Sequence, residues 1–286
     1  MTAGVAVAIS TLDRPDGLAR CLEALAAGSE QPARTIVVDQ GAAPADAPGA
    51  EVIRDGRRGL SASRNAGVAR AAEPVVAFTD DDCVPSPAWI AAIAGAFGDA
   101  DPPDAVTGPV LPLGPEAEGT FPVSSRTSRE RRELRGRVLP WEAGTGGNLA
   151  VRRDWLVDHR FDERLGAGTA GRAAEDVDLL YRLLRAGARI RYEPDAVVYH
   201  ERQSAERRRS SRGAYGHGMG AFCALRVSRG DVRPVALLGR WIEMRLGLLA
   251  RAVRRGSARG VAEELAVLAG TARGLAYGLR ARRRPA

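Results

Sequence analysis

The stretch VVAFTDDDCVP, Val75–Pro85, decides how the rest of the chain is read. Val75 to Phe78 form an apolar run of the kind that makes a buried strand, and Asp80, Asp81 and Asp82 follow together at its carboxyl end. Adjacent carboxylates repel, so three in a row after a buried strand call for solvent, hydrogen-bond donors or a cation to neutralise them. A hard divalent cation takes oxygen ligands of this kind. A solvated acidic turn would show the same three residues, and the stretch alone does not separate the two readings.

The segments on either side repeat the alternation of strand and helix. Val5–Ser10 reads as a strand, Pro15 fits the first turn of a helix running to about Ala27, and TIVVD, Thr35–Asp39, is a second strand. Glu51–Arg54 is a short strand, and Ser61 is a candidate cap for a helix through Ala72. Near-continuous apolar strands separated by helices predict an α/β fold whose parallel sheet is covered on both faces. Ligands of such sheets sit at the carboxyl ends of the strands. Thr11, Asp13, Asp39 and the three aspartates all fall at such ends. Unrelated solvated turns need not gather acids on one edge, so this convergence favours a site.

Farther along, a helix is expected over Pro87–Phe97 and one strand over Ala105–Leu111, followed by a basic helix or loop around RTSRERRELRGR. GTGGNLAVRRDW brings Gly146 and Gly147, which allow close approach to the backbone, ahead of buried Leu149–Val151. In AAEDVDLLYRLLRAG, four leucines give a helical apolar face, with Glu175 and Asp176 in the first turn, where the helix dipole favours negative charge. Capping alone would also account for that pair. Arg189–Tyr192 and Ala196–Tyr199 read as strands, the second ending in His200.

The 286 residues suffice for one large core or two modest ones, and 45% hydrophobic content suits a globular protein. Met1–Gly4 leads straight into a strand without a basic segment or cleavage site, which gives the expectation of a cytoplasmic protein. Cys21, Cys83 and Cys223 are odd in number and far apart, as suits reduced thiols. From Pro234 onward eleven Arg face three Glu, a local excess of +8 in a chain of net +7, so residues 1–233 carry about −1. Arg126–Arg137 and Arg202–Arg212 add basic clusters, and all the basic residues are Arg. Such patches favour anionic partners. Residues 234–286 read as two basic amphipathic helices that end in RARRR, and Arg or Glu interrupts each apolar run before the roughly 20 residues a bilayer span needs. They either lie peripherally on the inner, anionic face of a membrane or pack on the main domain with Arg outward. Aromatic content of 5% and the lack of a recognisable RNA or DNA module argue against nucleic acid as a partner. No GxGxxG follows the first strand, which argues against a dehydrogenase.

Seven segments, VAVAISTLDRP, TIVVDQG, GLSASRNAGVARA, VVAFTDDDCVPSPAWI, GGNLAVRRD, EDVDLLYRLLRAG and AVVYHE, resemble family 2 glycosyltransferases of the GT-A fold in order and approximate spacing, over about residues 4–202. The chain departs from the family at STLDR, where PTYNR is commoner, and at DQG, where DDG or DNG is. The resemblance implies a doubly wound, mostly parallel sheet with helices on both faces, to which the helices read over 234–286 add a C-terminal helical extension. With the basic tail, 234–286, set apart by its composition, the chain is expected to divide into a nucleotide-sugar-binding half, 1–112, and an acceptor-binding and catalytic half, 113–233. The resemblance places the nucleotide at Thr11, Asp13, Asp39, Arg64 and Asp81, with Arg64 closing over the base and Asp81 facing the ribose. It gives a divalent cation, Mg²⁺ or Mn²⁺, to Asp80, Asp82 and His200, and makes Asp176 the base that deprotonates an acceptor hydroxyl. Gly146, Gly147, Asn148 and Glu175 fall to donor and acceptor binding. The implied reaction is inverting transfer from a nucleotide diphosphate sugar, a UDP-sugar first, to a glycan, lipid-linked or small-molecule acceptor. The alternatives are a sugar nucleotidyltransferase, which would carry a Gly-rich basic loop where STLDRP stands, and a non-catalytic binding protein.

Overall fold

The computed structural model describes residues 4–123 and 125–281. Met1–Ala3 and Arg282–Arg284, on which part of the sequence reading rests, lie outside the described residues. The strands are β1 (Val5–Thr11), β2 (Arg34–Asp39), β3 (Glu51–Arg54), β4 (Val75–Asp80), β5 (Cys83–Pro85), β6 (Ala105–Thr107), β7 (Val110–Pro112), β8 (Thr120–Phe121), β9 (Arg132–Leu134), β10 (Leu149–Arg152), β11 (Ile190–Tyr192), β12 (Val198–His200) and β13 (Gln203–Ser204). The helices are α1 (Pro15–Ala26), α2 (Leu60–Arg70), α3 (Trp89–Gly98), α4 (Pro140–Ala143), α5 (Arg153–Asp158), α6 (Glu175–Ala186), α7 (Ala205–Val227), α8 (Arg233–Arg254) and α9 (Ala258–Ala281).

The main sheet runs in the order β3-β2-β1-β4-β10-β6-β11-β9. Its first four strands are mutually parallel, while β10 enters antiparallel between β4 and β6. Alternation along β1 explains the two layers. Val5, Val7 and Ile9 point into a core shared with Leu18, Cys21 and Leu25 of α1 and with Trp89, Ile90 and Ile93 of α3. Ala6 and Ala8 point the other way, into a core with Val68 of α2 and Leu179, Leu180, Leu183 and Leu184 of α6. The sheet is therefore buried on both faces, as the apolar runs predicted. In register, Thr11 faces Asp39 across β1 and β2, and Ser10 faces Asp80 across β1 and β4, so the polar ends of three strands share one edge.

Three local expectations are corrected. The stretch expected as one strand over Ala105–Leu111 is two, β6 and β7, which enter different sheets. Between them a Cβ on Gly108 would stand 2.9 Å from the Glu193 carbonyl oxygen and 3.0 Å from Asn148 Nδ2, and Pro109 has no N–H for a ladder. Ser61 does not cap α2; the cap position is Gly59 at φ 119°, and Ser61 is buried inside the first turn. The basic stretch after Arg126 holds a short strand, β9, antiparallel to β11.

Two compact units emerge, one reaching to Phe161 and including Asp176–Gln203, the other made of Asp162–Glu175 and the chain from Ser204 onward. The helical unit thus begins at α7, earlier than the tail read from the sequence, because α7 packs along α9. Three of its arginines are paired with acids of α9. Arg208 pairs with Glu263 at 2.8 Å, Arg212 pairs with Glu264, and Arg245 reaches Glu264 at 3.4 Å. Arg240 and Arg251 of α8 are exposed, with Trp241 buried opposite, as the amphipathic pattern predicted. Among the described residues, no helix is long and apolar enough to cross a membrane.

Candidate active site

The acidic edge is assembled by strand register. β4 delivers Asp80, the chain turns through Asp81 and Asp82 into β5, and β12 pairs antiparallel with β5 so that His200 lies opposite Cys83. The Glu201 N–H donates to the Asp82 carbonyl oxygen at 2.9 Å and locks this register beside the turn. His200 Nε2 comes to 3.5 Å from Asp82 Oδ1. One donor atom each from Asp80, Asp82, Cys83 and His200 lies within 4.8 Å of the others. Burial pushes the Cys83 thiol well above its usual range, with Asp80 and Asp82 adding to the shift. The remaining oxygen and imidazole donors fit a hard or borderline divalent cation. Gly147 leaves room for it, since a Cβ there would stand 2.9 Å from Asp80 Oδ2.

Two arginines face this group. Arg14 Nη1 lies 2.9 Å from Asp81 Oδ1 and 2.6 Å from Asp82 Oδ2. Burial lowers the Arg14 guanidinium, but hydrogen bonding and charge from Asp82 and Asp81 outweigh this and hold it raised. Asp81 is 5% exposed, and Thr11 Oγ1 donates to its Oδ2 at 2.9 Å. Its burial raises the carboxyl despite the opposing Arg14 contacts. Arg64, expected to close over a base, is instead buried in α2. It donates to Asp80 Oδ1 at 3.0 Å and stacks 5.5 Å from the Phe161 ring centroid. Arg14 carried no mark in the sequence beyond preceding the Pro that opens α1, and its role emerges only from the fold.

Asp39 is 2% exposed and organises its own loop, accepting from the Gly41 N–H at 2.7 Å, the Ala45 N–H at 2.8 Å and Arg54. Burial opposes ionisation there, yet these donors hold the carboxyl below its usual range. Asp13, at φ 53°, accepts from the Ala42 N–H at 2.7 Å, so Asp13 and Asp39 hold the loop 41–45 from two sides.

The turn 144–148 joins this edge to the expected base. Gly146 donates its N–H to Asp176 Oδ2 at 2.8 Å, and a Cβ on Gly146 would stand 2.8 Å from Arg64 Nη2. Gly147, next in the chain, faces Asp80. Asp176 is half-buried at the start of α6, and Glu175 before it is buried. Arg126 approaches from the segment between β8 and β9 and reaches the Gly144 carbonyl oxygen at 3.5 Å. Burial lowers its guanidinium, and the negative charge of Asp176 partly offsets this.

Asn148 departs from expectation. Its Oδ1 accepts from Trp89 Nε1 at 2.9 Å, and its Nδ2 donates to the carbonyls of Pro109 at 2.9 Å and Ala196 at 2.7 Å. All this is buried, so the amide ties the two sheets together instead of meeting a ligand. Asn148→Ala strips this partner from the Trp89 indole N–H and the Ala196 carbonyl, while the Pro109 carbonyl keeps the Val198 N–H, and is expected to cost about 2–3 kcal/mol. Urea unfolding checks this; a change under about 1 kcal/mol would remove the structural role.

An acidic edge at the strand ends of a sheet wound on both faces is the architecture of enzymes that bind nucleotide-linked substrates, and solved GT-A glycosyltransferases share this fold. A mannosyltransferase from Pyrobaculum calidifontis, solved with GDP-Man and Mn²⁺, superposes with a TM-score of 0.62 at 16% identity, covering 96% of this chain and 88% of that one. GalNAc-T7 with UDP, GalNAc and Mn²⁺ gives 0.53 at 15% identity, over 70% of this chain and 44% of that one. Residues 6–159 match the sequence profile of glycosyl transferase family 2. The pre-mycofactocin glycosyltransferase of Mycobacterium tuberculosis is 32% identical over 265 residues, covering 85% of this chain and 53% of that protein. The chain belongs to glycosyltransferase family 2. It spans about half the length of the curated relatives it matches.

Proposed function

We propose that the chain carries out an inverting, cation-dependent transfer from a nucleotide diphosphate sugar to an acceptor hydroxyl, with Asp80, Asp82 and His200 holding the cation and Asp176 as the base. The observation that carries this reading is the turn 144–148, where consecutive glycines face the two halves of the chemistry: Gly146 holds Asp176 and Gly147 abuts Asp80. Bonds from the Gly146 and Val177 N–H groups fix the Asp176 carboxylate, one on each oxygen. Each oxygen keeps acceptor capacity for an incoming hydroxyl proton. When bound, the cation neutralises charge that builds on the diphosphate leaving group. No general acid is then needed on the leaving side, and a single displacement from the face opposite the diphosphate inverts the anomeric centre. Thr11, Asp13 and Asp39, with the loop 41–45 that the two acids hold, form the side on which the nucleotide would lie.

The neighbours solved with UDP or with GDP-Man, each with Mn²⁺, put UDP- and GDP-sugars first among the donors to try. The name of the M. tuberculosis relative makes pre-mycofactocin the first acceptor to try. A thermal-shift panel of UDP-, GDP- and dTDP-sugars with and without Mn²⁺, run on the wild type and on Asp82→Ala, tests the donor site. A ligand at a hundredfold excess over its Kd stabilises the folded state by about 2.7 kcal/mol. The expected result is Mn²⁺-dependent stabilisation by one nucleotide class, lost in Asp82→Ala. No response to any donor would leave the acidic edge a structural turn.

A further inference from the structure

The two arginines at the acidic edge divide the carboxylate oxygens between them. Arg14 takes Oδ2 of Asp82 and Arg64 takes Oδ1 of Asp80. The opposite oxygens point to the cation group, Asp82 Oδ1 toward His200 and Asp80 Oδ2 toward Gly147. Asp81 has both oxygens in protein contacts, with Arg14 and Thr11. Each outer aspartate therefore offers a cation one oxygen, and two guanidinium groups oppose three carboxylates before any cation arrives. Arg14 is held in this position by its backbone. Asp13 before it sits in the left-handed region at φ 53°, and Pro15 after it has a fixed φ and opens α1.

We propose that Arg14 is a resident counter-cation, which holds the acidic edge below the affinity its carboxylates alone would have for a divalent cation, so that cation and donor diphosphate load together. A fixed positive charge on the far oxygen of Asp82 repels the cation through a partly buried carboxylate, where charge interactions are weakly screened. A diphosphate is drawn by both positive charges and removes the penalty. By linkage, the factor by which nucleotide tightens the cation equals the factor by which the cation tightens nucleotide. This rests on the proposed cation site at Asp80, Asp82 and His200, and extends it to a residue outside that set.

The test is titration with Mn²⁺, the free ion followed by electron paramagnetic resonance, on the full chain with no nucleotide, with UDP and with GDP. Wild type is expected to bind Mn²⁺ weakly alone and at least tenfold more tightly with one of the nucleotides. Arg14→Met should bind Mn²⁺ about tenfold more tightly without nucleotide and show a smaller nucleotide enhancement. Arg14→Lys, which keeps the charge, should stay within about threefold of wild type. Arg14→Met binding no more tightly than wild type overturns the proposal. Should that variant not fold, Asp81→Asn decides. Asp81 offers the cation no oxygen, yet its neutralisation leaves Arg14 wholly on Asp82 and should weaken Mn²⁺ severalfold; unchanged affinity overturns the proposal. Absence of Mn²⁺ binding by wild type under all three conditions overturns the underlying cation site itself, which separates the two failures.

Discussion

Asp176→Asn is expected to lower kcat about a thousandfold while leaving donor affinity within about threefold, because a positioned general base contributes about 10² to 10⁴ in rate. The asparagine oxygen can still accept from the Gly146 N–H, which lies 2.8 Å from the carboxylate in the native protein, while the Val177 N–H gives up its side-chain acceptor. The turn 144–148, with Gly147 against Asp80, is therefore preserved, and the loss falls on proton removal. A thousandfold loss corresponds to about 4 kcal/mol of transition-state stabilisation. Single-turnover rates give the chemical step, and nucleotide-dependent melting gives donor affinity on the same samples. If kcat falls less than about fivefold, or if donor affinity falls in step with the rate, then Asp176 serves only to hold the turn, and the base must be sought elsewhere.

Much of this edge was legible in the sequence because it is local. VVAFTDDD places its three acids by strand period alone, and the apolar runs around it could only pack as a sheet covered on both faces. The placement of His200 beside the acids followed from the family resemblance, and the register of β12 on β5 supplies its physical reason. What could not be read are relations between distant positions. Asn148 looked like a polar residue at a glycine turn, and nothing near it in sequence announces Trp89, Pro109 and Ala196 as its partners. Arg64 was placed over the base by the resemblance alone, and nothing near it in sequence announces Asp80 and Phe161, which it contacts in the fold. The extent of α7 was not legible either: from the sequence only Arg202–Arg212 stood out, as a basic cluster. RRRSSRGAYGHGMG reads as a basic, glycine-broken stretch, because glycine lowers helix propensity by up to about 1 kcal/mol per residue. In the fold those glycines are required by a partner about 55 residues away, which local propensity does not contain.

That partner sets the largest stability effect expected of a single methyl group. Gly213, Gly216 and Gly220 of α7 turn toward α9, and Gly270, Gly274 and Gly278 of α9 turn toward α7, along stripes spaced three and four residues apart, which is one face of each helix. At Gly274 a Cβ would overlap the His217 carbonyl oxygen and stand 2.7 Å from the His217 carbonyl carbon and 2.8 Å from the Ala221 nitrogen. These are backbone atoms of the facing helix and cannot turn aside, so the helices must separate along the seam. Gly274→Ala is therefore expected to destabilise the helical unit by about 3 kcal/mol, although alanine is the better helix former by about 1 kcal/mol. The matched control is Gly239→Ala on α8, where nothing lies within 4 Å of the added methyl and the same propensity should stabilise by about 0.5–1 kcal/mol. Opposite signs for the same chemical change isolate the seam from propensity. Amide hydrogen exchange reads it directly: protection in α7 and α9 should fall in Gly274→Ala while that of β1 and β4 holds. Equal protection in wild type and Gly274→Ala would mean the two backbones do not meet at this face, and that the glycines of α7 reflect composition instead of packing.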